Sequence, residues 1–420
     1  MNKLFAWLPA DRTTRFIILA MLGLLVLAVM AKVFLGGGKS STTAPPCLKA
    51  TVIVWAPFEL RALTALQKPL RKSCITIQLV PKSVEAIATE LVPALAAGQG
   101  PTLAYIDYDF WSTHRDLFVP LPAPPKGETS ALTLDDYPTS IQRALGNRLE
   151  AYPFSYDTLV LLWNRDLLNS IGQAEPPASL EALDQLIPQL RRLDSAGQLT
   201  LSPIALGSAT NIPTHFELFL ALWRMRHPNL TKFTSGFSRS LVETLDTYTD
   251  YVRSTSPRFS WHPNLPDQRE AFLAERTAMI IDFASTKREL LRRNPRAPFA
   301  LAPLPAYVGR TKRVNYLRPY FLAVTRGHER AGWQALIELD RHYAGIIAPL
   351  GLPAIKVSLG RDLNGDNRVL FEELIVGDVF ADVNKSVLRP AIRSDIDNWL
   401  ANRRDVEQLI NLQQTSRFFK

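Results

Sequence analysis

A chain of 420 residues, 47% of them hydrophobic, holds enough apolar material for a substantial core, which excludes disorder as its overall state and suits two lobes better than one compact domain. Its net charge of +9 comes from 48 basic residues interleaved with 39 acidic ones. Without a basic tract, no nucleic-acid partner is expected, and the surplus reads as a basic surface facing an anionic envelope.

In chain order, residues 1–15 carry Lys3, Arg12 and Arg15 and read as a cytoplasmic n-region by the positive-inside tendency. Residues 16–35 follow as an apolar run, free of charge from Phe16 to Ala31, that approaches the ~20 residues needed to cross a bilayer if Lys32 snorkels. This run reads as a transmembrane anchor or uncleaved signal, which makes the protein single-pass at the cell membrane with its globular part extracytoplasmic. A cleaved signal peptide is the rival reading, weakened by the length of the run and by Val29-Met30-Ala31 as its one small-residue cleavage site. Residues 36–47, rich in Gly, Ser, Thr and Pro, form a flexible linker.

Folded structure is expected from Leu48. Strand-like Thr51–Trp55, helical Phe58–Leu70, strand-like Ile75–Val80, helical Ser83–Ala97 and a strand near Thr102–Ile106 give a β-α-β-α-β order and a parallel, doubly wound sheet. Cys47 and Cys74 precede the first two strands, on one sheet edge if those strands are neighbours, so a disulfide is within reach. Two unpaired thiols are the alternative. Ala151–Trp163 is a long strand-like run suited to connecting lobes, and Ser179 caps a helix expected to stop at Gly197. Asp267–Arg276 reads as a helix, and Thr277–Phe283 and Phe299–Leu304 as strands.

Asp362-Leu363-Asn364-Gly365-Asp366-Asn367-Arg368-Val369-Leu370-Phe371-Glu372-Glu373 matches the spacing of a calcium loop, with Asp362, Asn364, Asp366, Arg368 and Glu373 as the metal ligands. Asn367 stands where Gly is usual, and the alternative is a turn capping a helix from Val369. Calcium there would be structural. No other cofactor is required: there is no Gly-x-Ser-x-Gly, no His-Glu-x-x-His and no phosphate loop, and the six histidines are scattered, so the chain is not expected to be an enzyme.

Arg148–Leu168, with its Tyr-Pro strand and aromatic-Asn-basic-Asp-Leu sequence, resembles the family of extracellular solute-binding proteins that includes the maltose-binding protein. The Pro-Pro-led helix from Pro176, Ala271–Ile281 with Phe299–Pro305, and Gly351–Ala354 follow in that family's order. The resemblance implies an α/β, periplasmic-binding-protein-like fold of two doubly wound lobes joined by hinge strands. Lobe 1 would take residues 48–154 and 321–355, and lobe 2 residues 156–316 and 360–420. It further implies capture of a small polar solute, carbohydrate favoured, in an interlobe cleft, hinge closure, and delivery to the permease subunits of an ABC importer. The alternative is a membrane-anchored adhesin or sensor partner using the same fold. A glycosidase built on Asp107 and Asp157 is a third reading.

Ligand contacts are sought at strand ends and crossings. Asp107 stands where relatives place a ligand-binding carboxylate, with a helix N-cap as its alternative. Trp55 and Trp111 are stacking candidates, with core packing as theirs. Tyr152 and Phe154 flank Pro153 on the first crossing, and Arg318 and Tyr320 lie on the second, where Arg318 would favour an anionic ligand unless a carboxylate pairs it. Phe283 stands where sugar-binding relatives carry Trp, and Asn211 and Trp261 lie in loops of the second lobe. Relatives carry Gly at the position of Glu275, a difference read as loop variation.

Overall fold

A computed structural model describes residues 20–21, 49–71, 74–123, 130–146, 148–228, 237–309, 313–361 and 363–401. Apart from Ala20 and Met21, the expected anchor lies outside the described residues, as do the linker with Cys47 and Asp362. Among those described, no helix is long and apolar enough to cross a membrane.

Strands β1 (Ala50–Ala56), β2 (Ile75–Pro81) and β3 (Leu103–Asp107) are parallel in the order β2-β1-β3. Ser83 caps the helix Val84–Ala96 between the last two, accepting a bond from the Ala86 amide. Between β1 and β2 the expected α-helix is instead a 3-10 helix over Phe58–Leu66, followed by one α-turn, Gln67–Leu70. Its buried residues, Leu60, Leu63 and Leu66, recur every third position, the period of a 3-10 turn. Cys74, beside the start of β1, is disulfide-bonded, and the sequence holds one other cysteine, Cys47.

Two long strands then run through the molecule. β4 (Tyr152–Asn164) is buried along its whole length and pairs first with β9 (Asn315–Val324), from Tyr152↔Leu322 to Thr158↔Leu317. From Leu159 onward it pairs with β7 (Thr277–Phe283) on one side, and from Leu161 with β8 (Phe299–Ala302) on the other. β9 in turn pairs with β3 through Tyr320–Val324, while its first two residues pair with β10 (Gly377–Asp378). The second half is completed by β6 (Leu199–Ala205), parallel to β7, and the short β5 (Arg192–Leu193). Partner exchange on β4 and β9 therefore divides one continuous ladder into two sheets. One core centres on β1–β3 with the helices Glu329–Arg341 and Tyr343–Leu350. The other packs β6 and β7 against Leu180–Leu190, His215–Arg226, Phe237–Thr249 and Lys385–Leu400.

Two expected elements change. Ser179 does cap its helix, but that helix ends at Leu190, and Gly197 (φ +77°) instead makes the turn between β5 and β6. The calcium-loop expectation is overturned by the helix Gly365–Val376, which starts at the loop's fourth position and so cannot wrap an ion. Asn364 is only its N-cap, Asp366 pairs with Lys287 at 2.6 Å, and Arg368 pairs with Glu372. Glu373 is fully buried and accepts bonds from Arg313, Asn315 and the Leu304 amide. Among the described residues no three His, Cys, Asp or Glu side chains cluster as metal ligands.

Candidate functional site

A concavity of about 840 Å³ opens where β4 and β9 pass from one sheet to the other. Its floor holds Tyr105 from β3, Ser155, Tyr156 and Asp157 from β4, and Tyr320 from β9. The first half contributes Glu59, Leu60 and the Gly351–Pro353 turn as one wall, and the second half contributes the helices Ser285–Arg293 and Gly365–Val376 as the other. A volume of this size at the carboxyl ends of β1 and β7 is where an α/β architecture places a ligand.

The floor is a tyrosine platform. Tyr105 and Tyr320 stack at 5.2 Å and 9°, and the Tyr105 hydroxyl shares a 2.7 Å bond with Ser155. A bulge between Pro153 and Ser155 disturbs the strand's alternation, and Ser155, Tyr156 and Asp157 all line the cavity while Tyr152 and Phe154 do not. Asp157 accepts from the Thr158 amide at 3.0 Å and the Ser285 amide at 3.3 Å. Burial raises its pKa, against the opposing pull of the Ser285 hydrogen bonds and of Arg318. The charged wall residues are largely matched: Lys287 to Asp366, and Arg292 to Glu59 at 3.5 Å across the cleft.

Of the ten residues expected to contact ligand, Tyr320 alone lines this cavity. Tyr152 is fully buried and donates to Asp340 at 2.8 Å, and Phe154 packs edge-on between Tyr105 and Tyr343. Trp111 is buried against Phe321. Asn211 and Trp261 bond to each other, Nε1 to Oδ1 at 2.9 Å, and brace the 262–265 loop. Trp55 is buried at the end of β1 beneath Lys82, 4.5 Å from the ring centre. Asp107 is the N-cap of the helix Tyr108–Thr113, accepting from Phe110 at 2.8 Å, with its pKa raised by burial. Arg318 lies 3.7 Å over the Phe283 ring and pairs with the buried Glu217 at 3.3 Å, which Arg389 also contacts at 2.8 Å. The glycosidase pairing fails as well, because Asp157 faces the cavity and Asp107 does not.

Tyr105, Glu59 and the Ser285–Arg293 residues went unrecognised in the sequence. A usable signal existed: each lies at or just beyond the carboxyl end of a strand that the sequence had already located.

No protein-family model and no curated protein matches the sequence. Solved structures do match the fold. The chain is similar to a cyclo/maltodextrin-binding protein complexed with maltotetraose, with TM-score 0.69 and 14% identity, covering 86% of this chain and 94% of that one. It is similar to the sugar-binding protein MalE of the phytopathogen Xanthomonas citri, with TM-score 0.67 and 16% identity over 88% and 96%. A third is an ABC transporter solute-binding protein of Thermotoga lettingae bound with α-D-tagatose, with TM-score 0.61 and 14% identity over 88% and 98%. The chain has the α/β fold of the maltose-binding-protein-like solute-binding proteins.

Proposed function

We propose that this chain is an extracytoplasmic solute-binding protein that captures a small polar solute, a saccharide by preference, between its two halves and delivers it to an ABC importer. Lobe 1 comprises residues 48–154 and 321–355, lobe 2 residues 156–316 and 360–420, and the apolar run at 16–35 tethers both to the cell membrane. The single observation behind the reading is the 840 Å³ cavity, whose lining comes from both halves and from the strands that connect them. A solute touching all three stabilises the closed arrangement by its differential affinity for it. Stacked tyrosines beside a hydroxyl and a carboxylate suit a ring with apolar faces and polar edges. The neighbours named above bind maltotetraose and tagatose, which supports the saccharide preference.

The test is thermal unfolding of the purified full-length chain with neutral and acidic saccharides, polyols and amino acids. A solute at a hundred times its Kd stabilises the folded state by about 2.7 kcal/mol, so a rise in Tm with a saccharide class supports the proposal. No shift with any of them sinks it.

A further inference from the structure

The charges that line the cleft do not cancel one by one. Lys287 is neutralised by Asp366 and Arg292 by Glu59. Asp157 is turned to two backbone amides. Glu289, also in the lining, is exposed and acts on Arg269 and Arg293. Arg288 remains: half-buried, in the cavity lining, and with no hydrogen bond, ion pair or ring contact among the described residues.

We infer that Arg288 is the recognition site for an anionic group on the solute, a carboxylate or phosphate on a saccharide, which makes the cleft selective for acidic over neutral sugars. This rests on the solute-binding reading and narrows it. A guanidinium held half-buried between two closing lobes loses hydration without gaining a partner, and a planar fork of donors is geometrically matched to a carboxylate or phosphate. Arg318, the cation that the sequence offered for this task, is already engaged by Glu217 and Phe283. The aromatic floor and the free cation therefore divide the work: Tyr105 and Tyr320 meet the ring, and Arg288 meets its charge.

Calorimetric titration of the full-length chain would compare maltotriose and glucose with trigalacturonate, glucuronate and glucose 6-phosphate, in 50 mM and 500 mM salt, for wild type, Arg288→Gln and Arg288→Lys. Expected is at least tenfold tighter binding of an acidic member than of its neutral counterpart, weakened by high salt. Arg288→Gln should weaken the acidic ligand on the order of 10–100-fold and neutral ligands far less, with Arg288→Lys in between. Uronate against phosphate identifies which anion is carried. Neutral sugars binding as tightly as acidic ones, or an acidic ligand indifferent to Arg288→Gln, overturns this inference while leaving the solute-binding reading intact. No binding by any of the five overturns both.

Discussion

Glu373 joins the cleft to its hinge. Its helix lines the cavity through Asp366, Asn367 and Leu370, and its carboxylate holds Arg313 and Asn315 at the start of β9, where Asn315 also donates to the Leu159 carbonyl at the partner switch of β4. Burial pushes its pKa up to about 7, against the opposing pull of Arg313 and Asn315. A raised acid is protonated in both folded and unfolded states well below pH 4.5, so its contribution to stability is complete there and is lost as pH climbs toward 7. The loss amounts to roughly 3 kcal/mol. Glu373→Gln, neutral throughout, should lose that part of the pH dependence and be flatter than wild type in that window. Urea midpoints at pH 5 and pH 8 for both proteins check this, and parallel curves would contradict it. At this scale the sequence misled in a specific way. Aromatic residues on a crossing strand were assigned to the ligand, but Tyr152 and Phe154 are buried in the core, and the bulge after Pro153 resets the faces of the residues that follow, bringing Ser155 onto the side of Tyr320. A one-residue change of register reverses which face a side chain occupies, and no composition signal marks it.

At the level of elements, strands and caps were legible wherever one local rule dominated. The aromatic-Asn-basic-Asp-Leu motif has a physical basis: Asn164 ends β4 and accepts from the Asp166 and Leu167 amides, starting the helix Arg165–Asn169. Asn164→Ala should cost about 1–2 kcal/mol in chemical denaturation, since two amides lose their acceptor in a buried site. Glu275 is more than loop variation. The helix Gln268–Leu273 closes with Arg276 N–H to Ala271 C=O at 2.8 Å and Glu275 N–H to Phe272 C=O at 3.1 Å, placing Glu275 at φ +57° in the position that favours glycine. Glu275→Gly should therefore stabilise the protein by about 1 kcal/mol, read as a higher urea midpoint, and a lower midpoint would refute the strain. The helix His215–Arg226 escaped the sequence reading because ten of its residues are buried all round, leaving no apolar stripe to recognise.

The two halves are held together by more than their shared strands. Glu59 reaches Arg292 at 3.5 Å on one rim of the cleft, and Asp109 from Tyr108–Thr113 reaches Lys385 of Lys385–Leu400 at 2.7 Å elsewhere between the halves. The two contacts are unequal. Both partners of the first are exposed, so solvent screens it and it contributes a few tenths of a kcal/mol. Lys385 is only 9% exposed and sits between the Tyr108 and Tyr316 rings, which limits screening and adds cation–π attraction on both sides. Closure in the absence of solute therefore depends mainly on Asp109. Small-angle scattering of the ligand-free protein should show a larger radius of gyration for Asp109→Asn than for Glu59→Gln, and 1 M salt, which screens the exposed pair far more than the buried one, should leave wild type close to its low-salt radius. Identical radii for all three proteins would mean that the strands and cores alone set the angle between the halves. If the expected order is found, solute affinity should fall by about 2–5-fold in Asp109→Asn, although Asp109 lies outside the cavity, because an opened resting state must be closed by the solute.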